Sequence, residues 1–508
     1  MATGTGCFLF ISSSVPADQK TLAEQIMDPT STKPPTAAPD AEAPDAGSRG
    51  PRGPGQGIAT GAAIIAGLTI LSRIGGLTRT LVFSQSIGAG CLGTAYTTAN
   101  QVPSLIYEVA IGGALTSAMV PVLARSAERA AGGAGDPGTG DPEAARRVER
   151  ITSALLTWSV IILVPLTIAI ALSSGPIAAL LNPVNPNAHC SRPQMIADTA
   201  HLLTAFSPQV LLYGVSVVLF GLLQAHRRFT GPALAPVIAN VVLIGCYLAV
   251  VPLDGGRSFG ATPAVVLALL GLGTTANVAA LVLVPAVPAW RLRLRIRPAL
   301  RFPPGVARLA GGLALVGVIE LVAQDVLNVV VITVANGHGG TGALVLANYT
   351  MQVFNAAYGI LAVSIVTSVF PVLSSRDAHA LDRVSATSTR AVLLVSWLGT
   401  ALVVAVAVPA AHVLARHGDQ VPQLAWAFTL TAPAVAGTGV VANLSRVMIV
   451  VGRLKMATAA LAGISVVALA GDLLVPVIAP PSWVVPGIAA STTVAATAVA
   501  VPATVAVR

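Results

Sequence analysis

From residue 58 onward the chain alternates between long apolar blocks and short polar stretches. Twelve blocks of about 20 residues or more fall near 58–87, 92–124, 151–181, 197–225, 231–252, 262–289, 306–335, 342–374, 386–415, 422–451, 455–479 and 484–507. A helix rising about 1.5 Å per residue crosses ~30 Å of hydrocarbon in that length. The pattern therefore predicts an all-α polytopic membrane protein of about twelve transmembrane helices. Residues 1–57 break the pattern. They are rich in Pro, Ala, Gly, Asp and Ser, lack the apolar content for a core, and are expected to form a disordered extension. The run CFLFISSSV at residues 7–15 has no basic residue before it and makes a poor secretory leader, and Met27 is an alternative start.

Composition agrees with the pattern. Of the 508 residues, 54% are hydrophobic and only 10% charged, against about 25% charged in soluble domains. The mean hydropathy is +0.79. A net charge of +9 would suit a nucleic-acid partner if it formed a face. Instead the basic residues gather in alternate loops, and no nucleic acid is expected. With the N-terminus inside, cytoplasmic segments hold 23 of the 29 Lys and Arg, the opposite loops only Arg192, Arg257 and Arg416, and the spans Arg73, Arg79 and Arg446. That asymmetry places both termini in the cytoplasm.

The basic stretch WRLRLRIRPALRFPP divides the chain into six spans and six: an N-lobe at 58–289, a linker at 290–305 and a C-lobe at 306–508. Its alternation of Arg and apolar residues has two readings. One is a helix lying on the membrane near anionic headgroups; the other is a plain topology anchor. A weak internal repeat supports the division. Span two ends TSAMVPVLARSAER and span eight TSVFPVLSSRDA, while span four leads into QAHRRFTGPALAPV and span ten into VVGRLKMATAALAG. Two such repeats with substrate between them make a transporter architecture.

Candidate chemistry is sparse. There is no HExxH, GxSxG, Walker A or dinucleotide-binding glycine turn, so no enzyme is expected. Cys7, Cys91, Cys190 and Cys246 make no CxxC or zinc spacing. The neighbours His189 and Cys190 read either as a metal pair or as ordinary loop residues. The intramembrane charges stand out more, because a charge at bilayer depth costs at least ~2.5–3.5 kcal/mol and usually serves a function. Arg73 and Arg79 lie in span one. Glu108, Glu320, Asp325 and Asp472 also lie within spans. Asp325 or Asp472 reads equally as half of an ion pair with Arg446 or as a protonated acid.

Several motifs carry a resemblance. Span one has the pattern SRxxGxxR…GAG as Ser72, Arg73, Gly76, Arg79 and Gly88-Ala89-Gly90. Span two has NxxPxL as Asn100, Pro103 and Leu105, and GAxxxxxVPxL as Gly113-Ala114, Val120-Pro121 and Leu123. Span eight carries Tyr358, Gly359 and Pro371 in YGILAVSIVTSVFPVLS. In these the chain resembles the lipid II flippases of the MurJ/MviN family, within the multidrug/oligosaccharidyl-lipid/polysaccharide exporter superfamily.

The resemblance implies two lobes around a central cavity in the bacterial cytoplasmic membrane. It implies outward movement of undecaprenyl-pyrophosphate-linked peptidoglycan precursor, and so a part in peptidoglycan synthesis, cell-wall biogenesis and cell shape. The implied partners are lipid II or a related polyprenyl-pyrophosphate glycan, membrane lipids, and cell-wall synthesis or division proteins. Arg73 and Arg79 match the arginines that hold the pyrophosphate, and the forked guanidinium suits phosphate oxygens. Gly75 and Gly76 are the candidate hinge that turns both toward one cavity. Asn100, Gln352 and Asn355 are candidate substrate contacts. Asp325 and Asp472, with hydroxyls from Ser491 or Thr492, are candidate ligands for a coupling Na+; no other cofactor is implied. Glu320, about 140° around the helix from Asp325, faces elsewhere.

The chain also departs from the family pattern. Tyr107 and Glu108 stand where a further arginine is usual, Thr94 where an acid is, and Met351 and Gln352 where an Asp-Arg pair is. The thinner cation set keeps three alternatives open: a flippase for another polyprenyl-linked glycan, a cation-coupled drug exporter, and a transport-deficient scaffold for cell-wall synthesis.

Overall fold

The structure, a computed structural model, describes residues 54–107, 141–187, 189–226, 228–254, 262–292, 294–300, 306–362, 378–451 and 453–507. Fifteen α-helices occupy them: α1 (Pro54–Ser86), α2 (Cys91–Tyr107), α3 (Pro142–Leu172), α4 (Ser174–Leu181), α5 (Arg192–Phe206), α6 (Pro208–Ala225), α7 (Thr230–Asp254), α8 (Ala264–Trp290), α9 (Val306–His338), α10 (Ala343–Ala357), α11 (Ala378–Leu414), α12 (Gln420–Thr431), α13 (Ala434–Val450), α14 (Leu454–Ile478) and α15 (Val484–Val507). There is no strand among the described residues. Among the described residues, nine stretches are long and apolar enough to cross a membrane. The other three predicted spans begin as α1, α2 and α10; the second and eighth continue into 108–140 and 363–377, outside the described residues. Residues 1–53 of the expected extension, Glu108, Pro121 and Pro371 also lie outside them, as does the side chain of Glu320.

Polarity is distributed as a lipid solvent demands. Leu172, Leu398 and Val477 are exposed, while Thr98, Thr274 and Asn443 are buried. Inside hydrocarbon each polar group must find a partner within the protein.

The helices form two sets. α1–α8 pack chiefly on one another, and α9–α15 do the same; between the sets, contacts run from α1, α2 and α4 to α9, α10 and α11. The sets echo each other in detail. In each, the second span follows a left-handed glycine, Gly88 (φ 74°) or Gly342 (φ 84°), a conformation that an L side chain adopts only with strain. In each, the fourth span is interrupted before a proline, at Ser207-Pro208 and at Ala432-Pro433, because proline has no N–H to continue the ladder. The main core crosses between sets, joining Phe83, Tyr96, Phe206 and Tyr247 to Tyr349, Ile332 and Phe428.

The basic linker is not a surface helix. Residues 294–300 run without helix along α3. The backbone N–H groups of Arg295, Arg297 and Ala299 donate to Glu149 Oε1 (3.0 Å), Ser153 Oγ (3.1 Å) and Thr157 Oγ1 (3.1 Å), and Trp158 Nε1 donates to the carbonyl of Leu300 (3.2 Å). The fit is geometric. Four helical residues rise about 6.0 Å and two extended residues span about 6.6 Å, so every second linker amide meets every fourth α3 side chain. The period of two in the sequence belongs to an extended chain, which places Leu292 and Leu294 on α3 and α6 and leaves Arg295 and Arg297 exposed.

Candidate functional site

A cleft enclosing about 950 Å³, part of it open at the mouth, lies between the two sets. α1 contributes Arg79, Thr80 and Phe83, α2 contributes Asn100 and Gln101, and α7 contributes Tyr247. From the second set come Asn328 of α9 and Asn348, Gln352 and Asn355 of α10. Arg79 is the one charged side chain among the described residues that line the cleft. Around it six amides supply donors and acceptors without net charge. Asn100 Oδ1 is buried with no hydrogen-bond partner. Gln101 Nε2 donates across the cleft to Asn348 Oδ1 (3.2 Å).

Arg73 is placed differently. It lies six residues before Arg79, about 9 Å along the helix axis. Its guanidinium reaches the other set and rests on Gly359: a Cβ on that glycine would stand 3.0–3.1 Å from Nη1, Cζ and Nη2. Gly359 belongs to a π-helical turn, Tyr358–Ala362, that extends α10 past Asn355. The candidate hinge stays helical, since α1 continues through Gly75 and Gly76. Gly75 is a packing position beneath Asn240, whose Nδ2 donates to the carbonyl of Ser72 (3.3 Å); nothing lies within 4 Å of where a Gly76 Cβ would be. So Arg79, Asn100, Gln352 and Asn355 share one cleft, and Arg73 spans the same interface further along.

An aromatic cluster closes one end. Phe83 packs against Tyr96, Tyr247 and Tyr349 at 5.5, 5.2 and 6.3 Å between centroids. Tyr96 Oη hydrogen-bonds Tyr247 Oη (2.9 Å) and Thr274 Oγ1 (2.8 Å). Beyond this cluster the sets touch directly. A Cβ on Gly342 would stand 2.9 Å from the Ala89 Cβ, so only glycine fits there. Gln420 Nε2 donates to the carbonyls of Ala89 (3.0 Å) and Thr341 (3.3 Å). The residue pattern marked the GAG motif, but the aromatic roof carried no sequence signal because it joins residues from distant parts of the chain, Tyr96 and Tyr247 being 151 positions apart.

The departures are also visible. Tyr107 packs against Tyr213 with ring centroids 4.6 Å apart and planes tilted by 43°, and buried Thr94 donates to the carbonyl of Gly90 (2.9 Å). Met351 and Gln352 both line the cleft. Cys190 is neither a metal ligand nor a plain loop thiol: it forms a disulfide with Cys91, Cα atoms 5.8 Å apart. Pairing 99 positions apart leaves no local spacing to read.

Asp472 is buried and accepts a hydrogen bond from Ser491 Oγ. Asp325 is buried on α9 beside Gln324, whose Oε1 accepts from Ser465 of α14 (3.2 Å). Ser465 stands seven residues, about 10 Å of helix rise, from Asp472. No group of three or more His, Cys, Asp or Glu side chains gathers among the described residues. Asp472 and Ser491 would offer two of the several oxygen ligands that a hard cation takes.

Residues 83–508 match the family model described as Lipid II flippase MurJ. The chain is 24% identical over 318 residues to the lipid II flippase MurJ of Burkholderia cenocepacia, covering 62% of this chain and 57% of the relative. It is 29% identical over 259 residues to the probable lipid II flippase MurJ of Synechocystis sp., covering 49% and 43%. The matched part is thus about half the length of these curated relatives. Among solved structures, a lipid II flippase MurJ in an inward closed conformation superposes with a TM-score of 0.70 at 17% identity, over 88% of this chain and 87% of that one. An inward-facing multidrug resistance MATE family transporter superposes at 0.64 with 11% identity, over 88% and 98%.

Proposed function

We propose that this chain, which belongs to the lipid II flippase MurJ family, carries an undecaprenyl-pyrophosphate-linked peptidoglycan precursor from the inner to the outer leaflet of the cytoplasmic membrane by alternating access. The observation that carries the reading is the cleft itself. It lies between two helix sets, holds Arg79, is crossed nearby by Arg73, and is closed at one end by aromatic packing and by the Ala89–Gly342 contact.

The two sets act as an N-lobe and a C-lobe of six spans each, with both termini cytoplasmic. Two unrelated features support that orientation. Along the sequence, Lys and Arg concentrate in the connections that alternate with those carrying Gly88 and Gly342. The Cys91–Cys190 disulfide lies at the Gly88 end, and disulfides persist on the oxidising side of a membrane. The closed end is then the outer gate, and the cleft awaits substrate from the cytoplasm. In a dry cleft, forked arginines compensate a diphosphate, and the amides of Asn100, Gln352 and Asn355 hydrogen-bond sugar or phosphate oxygens. Closing the inner end while breaking the outer contacts delivers the headgroup outward. A negative interior favours that movement by ~2.3 kcal/mol per charge per 100 mV.

A second reading, a flippase for another polyprenyl-linked glycan, draws on the amide-rich lining around Arg79 among the described residues. One experiment separates the readings. In cells depleted of their own flippase and expressing this chain, an external enzyme that cleaves only outward-facing lipid II reports exposure. Restored exposure, lost again with Arg73→Ala, supports lipid II. A protein that reaches the membrane and leaves exposure low points to another glycan or to a scaffold.

A further inference from the structure

The segment between α4 and α5 belongs to the first helix set at both ends. Asn182 Nδ2 donates to the carbonyl of Ala178 (2.8 Å) and to Thr199 Oγ1 (3.3 Å). Arg192 Nε donates back to the carbonyl of Asn182 (3.0 Å). Cys190 is bonded to Cys91, the first residue of α2. Between these anchors the segment reaches across to the other set. Asn185 Nδ2 donates to the carbonyls of Asn336 (2.7 Å) and Gly339 (2.8 Å) at the end of α9. The backbone N–H of His189 donates to Thr341 Oγ1 (3.1 Å), and a Cβ on Gly337 would stand 2.9 Å from Pro183 Cγ. From the other side, Asn336 Nδ2 donates to the carbonyl of Leu181 (2.9 Å) and to Thr98 Oγ1 (3.0 Å).

We propose that the Cys91–Cys190 disulfide makes this segment a redox-sensitive latch on the outer gate, and that its reduction shifts the protein toward the outward-open conformation. The inference rests on the alternating-access reading above. With the disulfide formed, Asn185 and His189 are fixed to the first set. The sets then separate only by breaking the bonds to Asn336, Gly339 and Thr341 together with the Ala89–Gly342 contact. With the disulfide reduced, His189 and Asn185 travel with the second set, and separation leaves their bonds intact. A dithiol supplies the two electrons and two protons that turn the disulfide into two thiols, and is itself oxidised to a disulfide. Cys246, the remaining described cysteine, is a buried free thiol in α7 and takes no part.

The test is hydrogen–deuterium exchange on the full chain in lipid nanodiscs, read at the backbone of residues 89–98 and 336–348. The arms are oxidised protein, protein folded first and then reduced with dithiothreitol, the C91S/C190S variant, and oxidised Asn185→Ala. Two lost hydrogen bonds correspond to a rise of about tenfold in the open population. Exchange in both segments is expected to rise by about that factor in the last three arms, while the buried α6 amides at Leu222 and Leu223 keep their protection and report an intact fold. Unchanged exchange in both segments on reduction overturns the latch. So does a rise confined to residues 182–187, or an oxidised Asn185→Ala that behaves like the parent. Lipid II exposure measured in parallel keeps the two ideas apart: no exposure in any redox state overturns the flippase reading and leaves the gate result standing.

Discussion

The guanidinium of Arg73 lies so close to Gly359 that a Cβ added there would stand only 3.0–3.1 Å from it. A cation from the first helix set is thereby held against a π-helical turn of the second, a type of turn frequent at functional sites. A larger residue at 359 must push the arginine aside. The displaced atoms are the far end of a flexible side chain, so the cost falls on position rather than on folding. Gly359→Val is expected to keep its membrane level and to lower lipid II exposure about tenfold, the scale of a lost charge-assisted hydrogen bond. Gly359→Ala is expected to do less. The external cleavage assay, with immunoblots for protein level, decides; wild-type exposure in Gly359→Val removes Arg73 from the mechanism at this contact.

Arg79 answers a different question, because it is the one charge among the described residues lining the cleft. Lysine keeps the charge and loses the planar fork. Arg79→Lys is expected to lose about tenfold in exposure and Arg79→Ala about a hundredfold, the span of hydrogen bonds to charged groups. Gln352→Ala and Asn355→Ala, which remove neutral contacts, are expected to cost only about fivefold each. Equal losses for Arg79→Lys and Arg79→Ala would show that geometry, not charge, is read there.

Much of this was legible in the sequence, for physical reasons. Hydrophobic blocks long enough to span a bilayer leave little choice of structure, so each predicted span coincides with a helix, with two helices in succession, or with its described beginning. Arg79 stood out as a charge in an apolar run, while Asn100, Gln352 and Asn355 were marked only by the family resemblance, and the four meet in one cleft. What the sequence concealed depends on separation. Tyr96, Tyr247 and Tyr349 read as three unrelated aromatics until packing brings them around Phe83. Cys91 and Cys190 have no spacing to recognise. The linker kept two readings, a surface helix and a plain topology anchor, because alternating Arg and Leu suits a surface helix by composition and an extended chain by period; the ladder on α3 removes the helix.

The proposed outer gate gives a prediction independent of substrate. Gly342 has φ 84° and faces Ala89 so closely that an added Cβ would clash with it. Gly342→Val adds a branched side chain both to a left-handed backbone and to the line where the sets meet. The left-handed conformation alone costs ~1–3 kcal/mol. The closed outer gate is expected to be disfavoured and the outward-open state enriched. Hydrogen exchange at residues 89–95 should rise about tenfold or more, and lipid II exposure should fall because the cycle cannot return. Parental exchange at those residues would mean that the contact is not the closing surface.

The linker ladder allows the last test. Three backbone N–H groups of an extended segment are satisfied by side chains spaced four apart on α3, and Glu149, Ser153 and Thr157 contribute one acceptor each. An extended chain with free amides on one edge would otherwise be left to water. Ser153→Ala with Thr157→Ala removes two acceptors while keeping α3 helical, since alanine is the best helix former. Each lost bond nets ~0.5–1.5 kcal/mol. Exchange of the Arg297 and Ala299 amides is therefore expected to accelerate about tenfold, and that of Arg295, still held by Glu149, much less. Leu292 and Leu294 keep their apolar seat on α3 and α6, so the segment should loosen from its far end. If all three amides accelerate together, the segment is held as one cooperative strap; if none does, packing rather than the ladder fixes the linker to the first helix set.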